Sequence, residues 1–343
     1  MKAKPALVMA GLCTIRRSIQ VKHLFRRIGF YLVALWASIT INFVIPRLAP
    51  GDPAGALIAR FQGRMNPQAI SSLKLQFGLS NDPLWIQYVR YLENLLHGNL
   101  GTSFTYFPTP VSTVLAQELP WTLALVGISV VISFTVGSLI GVLIAWKRGS
   151  FIDGVLPPML TFFSAIPYFW LALVALYVFA YTLNWFPLNG GYDTSVTVGW
   201  SADFLLSVFN HGLLPGFTIV LASIAGWMLG MRNTMITTLT EDYVLLAEAK
   251  GLSERRVMFS YAARNAILPN VTSFTLSLGF VVGGSLLTEI VFSYPGIGFA
   301  LLQAAQNADY PLLQGIFLLI AMAVLGANFI ADLIYVVLDP RVR

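Results

Sequence analysis

The stretch LPWTLALVGISVVISFTVGSLIGVLIAW, residues 119–146, carries no charge and is bracketed by Trp121 and Trp146. A bilayer core about 30 Å thick needs roughly 20 mostly apolar helical residues. Roughly twenty-five residues rising 1.5 Å each make a helix of about 37 Å, which seats one interfacial aromatic at either end of a slightly tilted span. Five further windows read the same way: 28–46, 156–181, 212–236, 267–291 and 312–337. Bulk composition agrees. Of 343 residues 57% are hydrophobic and only 10% are charged, where a soluble domain has about 25% charged. Mean hydropathy is +0.74. The expectation is an all-α membrane protein of six transmembrane helices.

Basic residues orient these spans. Seven Lys or Arg precede the first window, Lys147 and Arg148 follow the second, five belong to the loop after the fourth when Arg232 at its edge is counted, and Arg341 and Arg343 end the chain. That puts sixteen of the 21 basic residues on one side, with the other five in the long first loop, 47–118. Long loops translocate largely regardless of charge, so both termini are expected in the cytoplasm. Residues 1–27 read as a cytoplasmic basic lead-in rather than a cleaved signal, and 28–343 as one six-span domain. Within it, 47–118 is an extracytoplasmic insertion that opens on the turn-rich LAPGDPAG. Trp85, Tyr88, Tyr91, Leu92 and Leu95 recur there at helical spacing, predicting an amphipathic helix on the membrane, on the spans, or against an external partner.

Several chemistries are excluded or disfavoured. A phosphate-binding loop needs a Gly-Lys pair; the six lysines follow Met1, Ala3, Val21, Leu73, Trp146 and Ala249, so any ATP is bound elsewhere. The single cysteine, Cys13, excludes an internal disulfide framework and a multi-cysteine metal site. His23, His97 and His211 are too far apart for a local ligand motif. No catalytic or metal-binding constellation is expected. Two carboxylates lie within spans, Glu289 near the outer end of the fifth and Asp332 near the inner end of the sixth. Each is a candidate for a translocation path, because burying a carboxylate in a membrane is costly. Their closeness to an interface favours a packing role instead. An ion-coupled carrier would show broken helices at matching positions in two halves, and the Pro and Gly residues here do not match in that way. Secondary transport is the alternative class, with a membrane enzyme behind it.

One segment breaks the apolar pattern. In AEAKGLSERRVMFSYAARNAILP, residues 247–269, nine of twenty-three residues are Glu, Lys, Arg, Ser or Asn. Within the loop 237–266, Thr240 is expected to cap a first short helix whose opening turn carries Glu241 and Asp242. Gly251 would end that helix in a left-handed conformation, with Leu252 folding back on Ala247. Ser253 would cap a second helix that runs into the fifth span across Pro269. Ala247 and Ala249 leave room for another surface to approach closely.

TEDYVLLAEAKGLSERRVMFSYAARNAILP resembles the EAA loop of ABC-importer permeases, whose general form is Glu-Ala-Ala, three residues, Gly, and later Ile-x-Leu-Pro. Ala247, Gly251, Leu268 and Pro269 match; Leu245, Leu246 and Ala266 depart from it. The departures and the long gap from Gly251 to Pro269 are similar to the first, B-type permease subunit of the oligopeptide/dipeptide branch, where the loop reads more like A-x-A-K-G-L. FVIPRLAPGDPA (43–54), HGNLGTSF (97–104), AWKRGSFID (145–153), LTEIVFSYPGIG (287–298), DYPLLQG (309–315) and ADLIYVVLDPRVR (331–343) resemble that branch in order along the chain.

The resemblance implies a type I ABC importer permease fold in a bacterial cytoplasmic (inner) membrane. It implies a heterodimer with a second homologous permease, two cytoplasmic ATPase subunits and an extracytoplasmic solute-binding protein. No cofactor is expected in this chain; ATP and magnesium would sit on the ATPases, and no nucleic acid is involved. Glu248, Lys250, Glu254, Arg255 and Arg256 would make polar contact with the ATPase, while Ala247, Ala249 and Gly251 supply the close fit and the turn. Di- or oligopeptides are the expected cargo, with oligosaccharides or another small solute as the alternative.

Overall fold

The computed structural model describes residues 27–45, 82–283 and 285–338, with side-chain surroundings as far as Asp332. The expected lead-in 1–27 is met only at Arg27, and LAPGDPAG and the tail 339–343 lie outside the described residues. Among the described residues the protein is helical, with a single isolated β-bridge between Thr102 and Pro110.

The chain divides after Pro50 into two units. The first contains α1, Arg27–Ile45, a mostly apolar helix of nineteen residues, long enough to cross a bilayer. Thr40 donates its hydroxyl to the Trp36 carbonyl at 2.8 Å, satisfying a polar group within the helix itself.

In the described part of the second unit α2, Leu84–Leu96, comes first and is the helix expected in the insertion. Tyr88, Tyr91, Leu92 and Leu95 are half-buried, whereas Trp85 is exposed. Next comes α3, Val111–Trp146, which starts earlier than the 119–146 window and is 36 residues long. Pro120 lies inside it and is followed by a π-helical stretch, Leu123–Gly127. Proline removes one backbone donor, and the wider turn beside it takes up the mismatch.

The third window is not one straight helix. It forms α4, Phe151–Ala165, and α5, Tyr168–Thr182, bent by 92°. The corner is Ile166, whose extended backbone (φ −73°, ψ 131°) is the conformation a following proline imposes, here Pro167.

The fourth window lies inside α6, Ala202–Thr238, which is 37 residues long. It crosses α3 closely because Gly137 and Gly141 carry no side chain. A Cβ at Gly137 would fall 2.8 Å from the Ile224 carbonyl oxygen, and one at Gly141 2.5 Å from that of Met228. Small residues four apart let two backbones meet, the usual means of membrane helix packing.

After α6 come two short pieces, α7 at Asp242–Ala249 and α8 at 254–266. The fifth window is also divided, into α9, Leu268–Val281, and α10, Leu286–Val291. At 1.5 Å per residue the fourteen residues of α9 cover about 21 Å, short of a bilayer core. The chain closes with α11, Ile297–Gln306, and α12, Tyr310–Leu338. α12 packs on α9 at Gly279, where a Cβ would stand 2.6 Å from the Ala327 methyl. By length and composition four described helices can cross a membrane, or five when the bent pair counts as one.

Candidate functional site

The polar loop after α6 folds as two helices around a tight turn. Gly251 has φ +74°. Its N–H donates to the Glu248 carbonyl at 2.8 Å, and that of Leu252 donates to the Ala247 carbonyl at 3.3 Å. This pair of bonds is the Schellman arrangement that stops a helix at a left-handed residue. The N-terminal cap differs from expectation. Glu241, not Thr240, is the capping residue of α7, with no side-chain bond to it, and Thr240 donates its hydroxyl to the Thr237 carbonyl. Ser253 precedes α8 as expected but likewise makes no side-chain cap bond.

The element has two faces. Its inner face is an apolar socket: Val244 and Ala247 of α7 and Val257 and Ala262 of α8 pack with Met231 and Met235 of α6 and Ala145 of α3. Ala247 is 2% exposed. It therefore cannot offer the close approach expected of it; its methyl seats α7 on its own chain. Ala249 does face outward, beside Glu248 and Lys250. Gly251, Glu254, Arg255 and Arg256 are exposed too, as are Leu245 and Leu246, about half of each being accessible. Among the described residues none of these five charged side chains forms an ion pair.

The socket explains why Leu245 and Leu246 face outward. Positions 244 and 247 are one turn apart and point to α6, so the two residues between them must point away. α8 contains a π-helical stretch, Val257–Ala263, and runs through Ile267 into α9, with Pro269 in its first turn. A force applied at Gly251 thus reaches α9 through the chain and α3 and α6 through the socket.

At the same end of the bundle the loop 147–150 is tied to α6. Arg232 donates from Nε and Nη2 to Asp153 Oδ1 at 2.9 and 2.7 Å. Asp153 Oδ2 accepts the Gly149 N–H at 3.0 Å, and Ser150 caps α4 by accepting the Asp153 N–H.

The opposite end holds the two buried carboxylates. Glu289 is fully buried. Its Oε1 accepts the Thr122 hydroxyl at 3.1 Å and its Oε2 the Gly298 N–H at 2.7 Å. Thr122 Oγ1 in turn accepts the Ile297 N–H at 2.8 Å. Glycine is required alongside: a Cβ at Gly296 or Gly298 would sit 2.5 or 2.8 Å from Glu289 Oε2. Its two oxygens thus join the start of α11 to α3, a packing geometry.

Asp309 was not singled out from the sequence, yet it is equally buried. It caps α12 through the Leu312 N–H and accepts from the Ser103 hydroxyl at 2.5 Å and the Thr105 N–H at 2.8 Å. The available signal was an Asp one residue before a helix with Pro311 in its first turn. Asp332 lies half-buried near the far end of α12, away from both carboxylates in sequence. Among the described residues no three His, Cys, Asp or Glu side chains converge to hold a metal ion.

Residues 137–343, which include α6, the Gly251 element and Glu289, match the family model of binding-protein-dependent transport system inner membrane components. Similar proteins extend along nearly the whole chain. The oligopeptide transport system permease protein AppB of Bacillus subtilis is 35% identical over 331 residues, 94% of this chain and 99% of its own length. The di/tripeptide transport system permease protein DppB of Pseudomonas aeruginosa is 37% identical, covering 93% and 97%. The dipeptide transport system permease protein DppB of Escherichia coli is 31% identical, covering 94% and 99%.

Proposed function

Because the chain belongs to the inner-membrane components of binding-protein-dependent transport systems, we propose that it is a permease subunit forming part of the path for uptake of di- or oligopeptides across a bacterial inner membrane. The cargo follows the names of the peptide permeases it is similar to. The observation that carries the mechanism is the two-faced element at Gly251, buried on its own bundle and charged on its free side.

In this reading six spans cross the membrane with both ends in the cytoplasm, the broken 267–291 segment serving as the fifth. Residues 47–118 lie outside and 237–266 form the cytoplasmic coupling loop. A second homologous permease completes the path, a solute-binding protein delivers the cargo, and two ATPase subunits bind ATP and magnesium. Glu248, Ala249, Lys250, Gly251, Glu254, Arg255 and Arg256 meet the ATPase. Ala247 joins them from behind, holding α7 to α6. Closure of the ATPase pair pushes on the exposed face, and α3, α6 and α9 tilt together, alternating access to the path.

Gly251→Ile tests this. A β-branched residue in the left-handed region costs about 1–2 kcal/mol and distorts the turn. The expected result in the reconstituted complex is continued ATP hydrolysis with peptide uptake reduced about tenfold, a scale set by that strain. Full, tightly coupled uptake in this variant removes the coupling role.

A further inference from the structure

The Asp153–Arg232 pair has a position that the coupling reading leaves unused. Arg232 follows Met231 and is less than one turn from Met235, the two methionines in the socket under α7 and α8. On the other side, α4 lies antiparallel along α6. Leu160 packs with Ile224, Ala225 and Met228, and Ser164 reaches the Leu221 carbonyl at 3.4 Å. Apolar burial is non-directional, so such a contact does not by itself stop one helix from sliding along another. A guanidinium donating two N–H groups to one carboxylate oxygen is directional and strong. The pair is partly covered, with side-chain exposures of 23% for Arg232 and 10% for Asp153. Asp153 is itself held by Gly149 and Ser150. The far end of α4 is the 92° corner at Ile166 and Pro167.

We propose that Asp153 and Arg232 are positioning residues, a clasp that makes α4 follow α6 and so carries the stroke from the Gly251 element to the bent third span. This rests on the importer reading above.

The test uses the full complex in proteoliposomes, reading labelled dipeptide taken up per ATP hydrolysed. Asp153→Asn keeps an acceptor for Gly149 but gives up the charge; Arg232→Gln gives up the fork. Each single variant is expected to lower the ratio about fivefold, the low end of ordinary coupling between sites. The double variant should be no worse than either single, since both remove one contact. Arg232→Lys keeps the charge without the planar fork and should retain at least half of the wild-type ratio; it also serves if Asp153→Asn assembles poorly. A purely structural role would lower the amount of complex and leave the ratio alone. An unchanged ratio in the singles, losses that add in the double, or Arg232→Lys as impaired as Arg232→Gln each overturn the clasp. Absence of ATP-dependent dipeptide uptake by the unaltered complex would instead defeat the importer reading.

Discussion

The two ends of the bundle use polar residues in opposite ways. At the end that holds the buried carboxylates, Glu289, Asp309, Thr122 and Ser103 are all fully buried and spend their hydrogen bonds on one another and on helix starts. At the Gly251 element Val244, Ala247, Val257 and Ala262 turn inward while Glu248, Lys250, Glu254, Arg255 and Arg256 lie outward, with no ion-pair partner among the described residues. A buried carboxylate is costly unless its oxygens are hydrogen-bonded, as those of Glu289 and Asp309 are. An exposed charge costs little to keep and holds its bonding capacity for something else. Polarity alone therefore does not mark a functional site; the direction of the polar groups does.

The strongest way to break this contrast is Glu289→Ala. It strands the Thr122 hydroxyl and the Gly298 N–H in a buried site, and two orphaned donors cost about 3 kcal/mol together. Thermal unfolding of the purified protein should register that loss; a melting temperature equal to wild type would mean that the carboxylate is not a structural tie. A sharper version compares two alanines two residues apart. Ala247→Leu overfills the socket and should cost about 2 kcal/mol, whereas Ala249→Leu, on the exposed face, should stay within about 0.5 kcal/mol. Chemical denaturation measures both, and equal losses would erase the two-faced description. The smallest effect is expected of Thr240→Ala. A capping threonine is worth about 1 kcal/mol, but this hydroxyl bonds back to Thr237, so its removal should cost less than about 0.5 kcal/mol in the same assay.

Much of the fold was legible in the residues. Long apolar windows pointed to membrane helices, and four of the six lie wholly or nearly within single long helices, α1, α3, α6 and α12. Gly251 and its fold-back were legible because a helix stop is written in a few adjacent residues. The corner in the third window was only half visible: Pro167 was there to be read, but its 92° consequence depends on what α4 and α5 each pack against. The capping role given to Thr240 failed because the end of α6 competes for the same hydroxyl.

The ties at Glu289 and Asp309 were hidden for a different reason. Thr122 and Glu289 are 167 residues apart, and Ser103 and Asp309 are 206 apart. No local pattern carries such a pairing.

From sequence alone came the class of solvent, the positions of most spans, the turn at Gly251 and the absence of a nucleotide-binding loop, because each depends on short-range composition or spacing. Tertiary structure alone decided which side of each helix is free. Ala247 lies inward and Ala249 outward, and Glu289 is occupied rather than available. Hydrogen bonds and apolar contacts between segments far apart in the chain set those directions, and they exist only once α3, α6, α10 and α11 have packed.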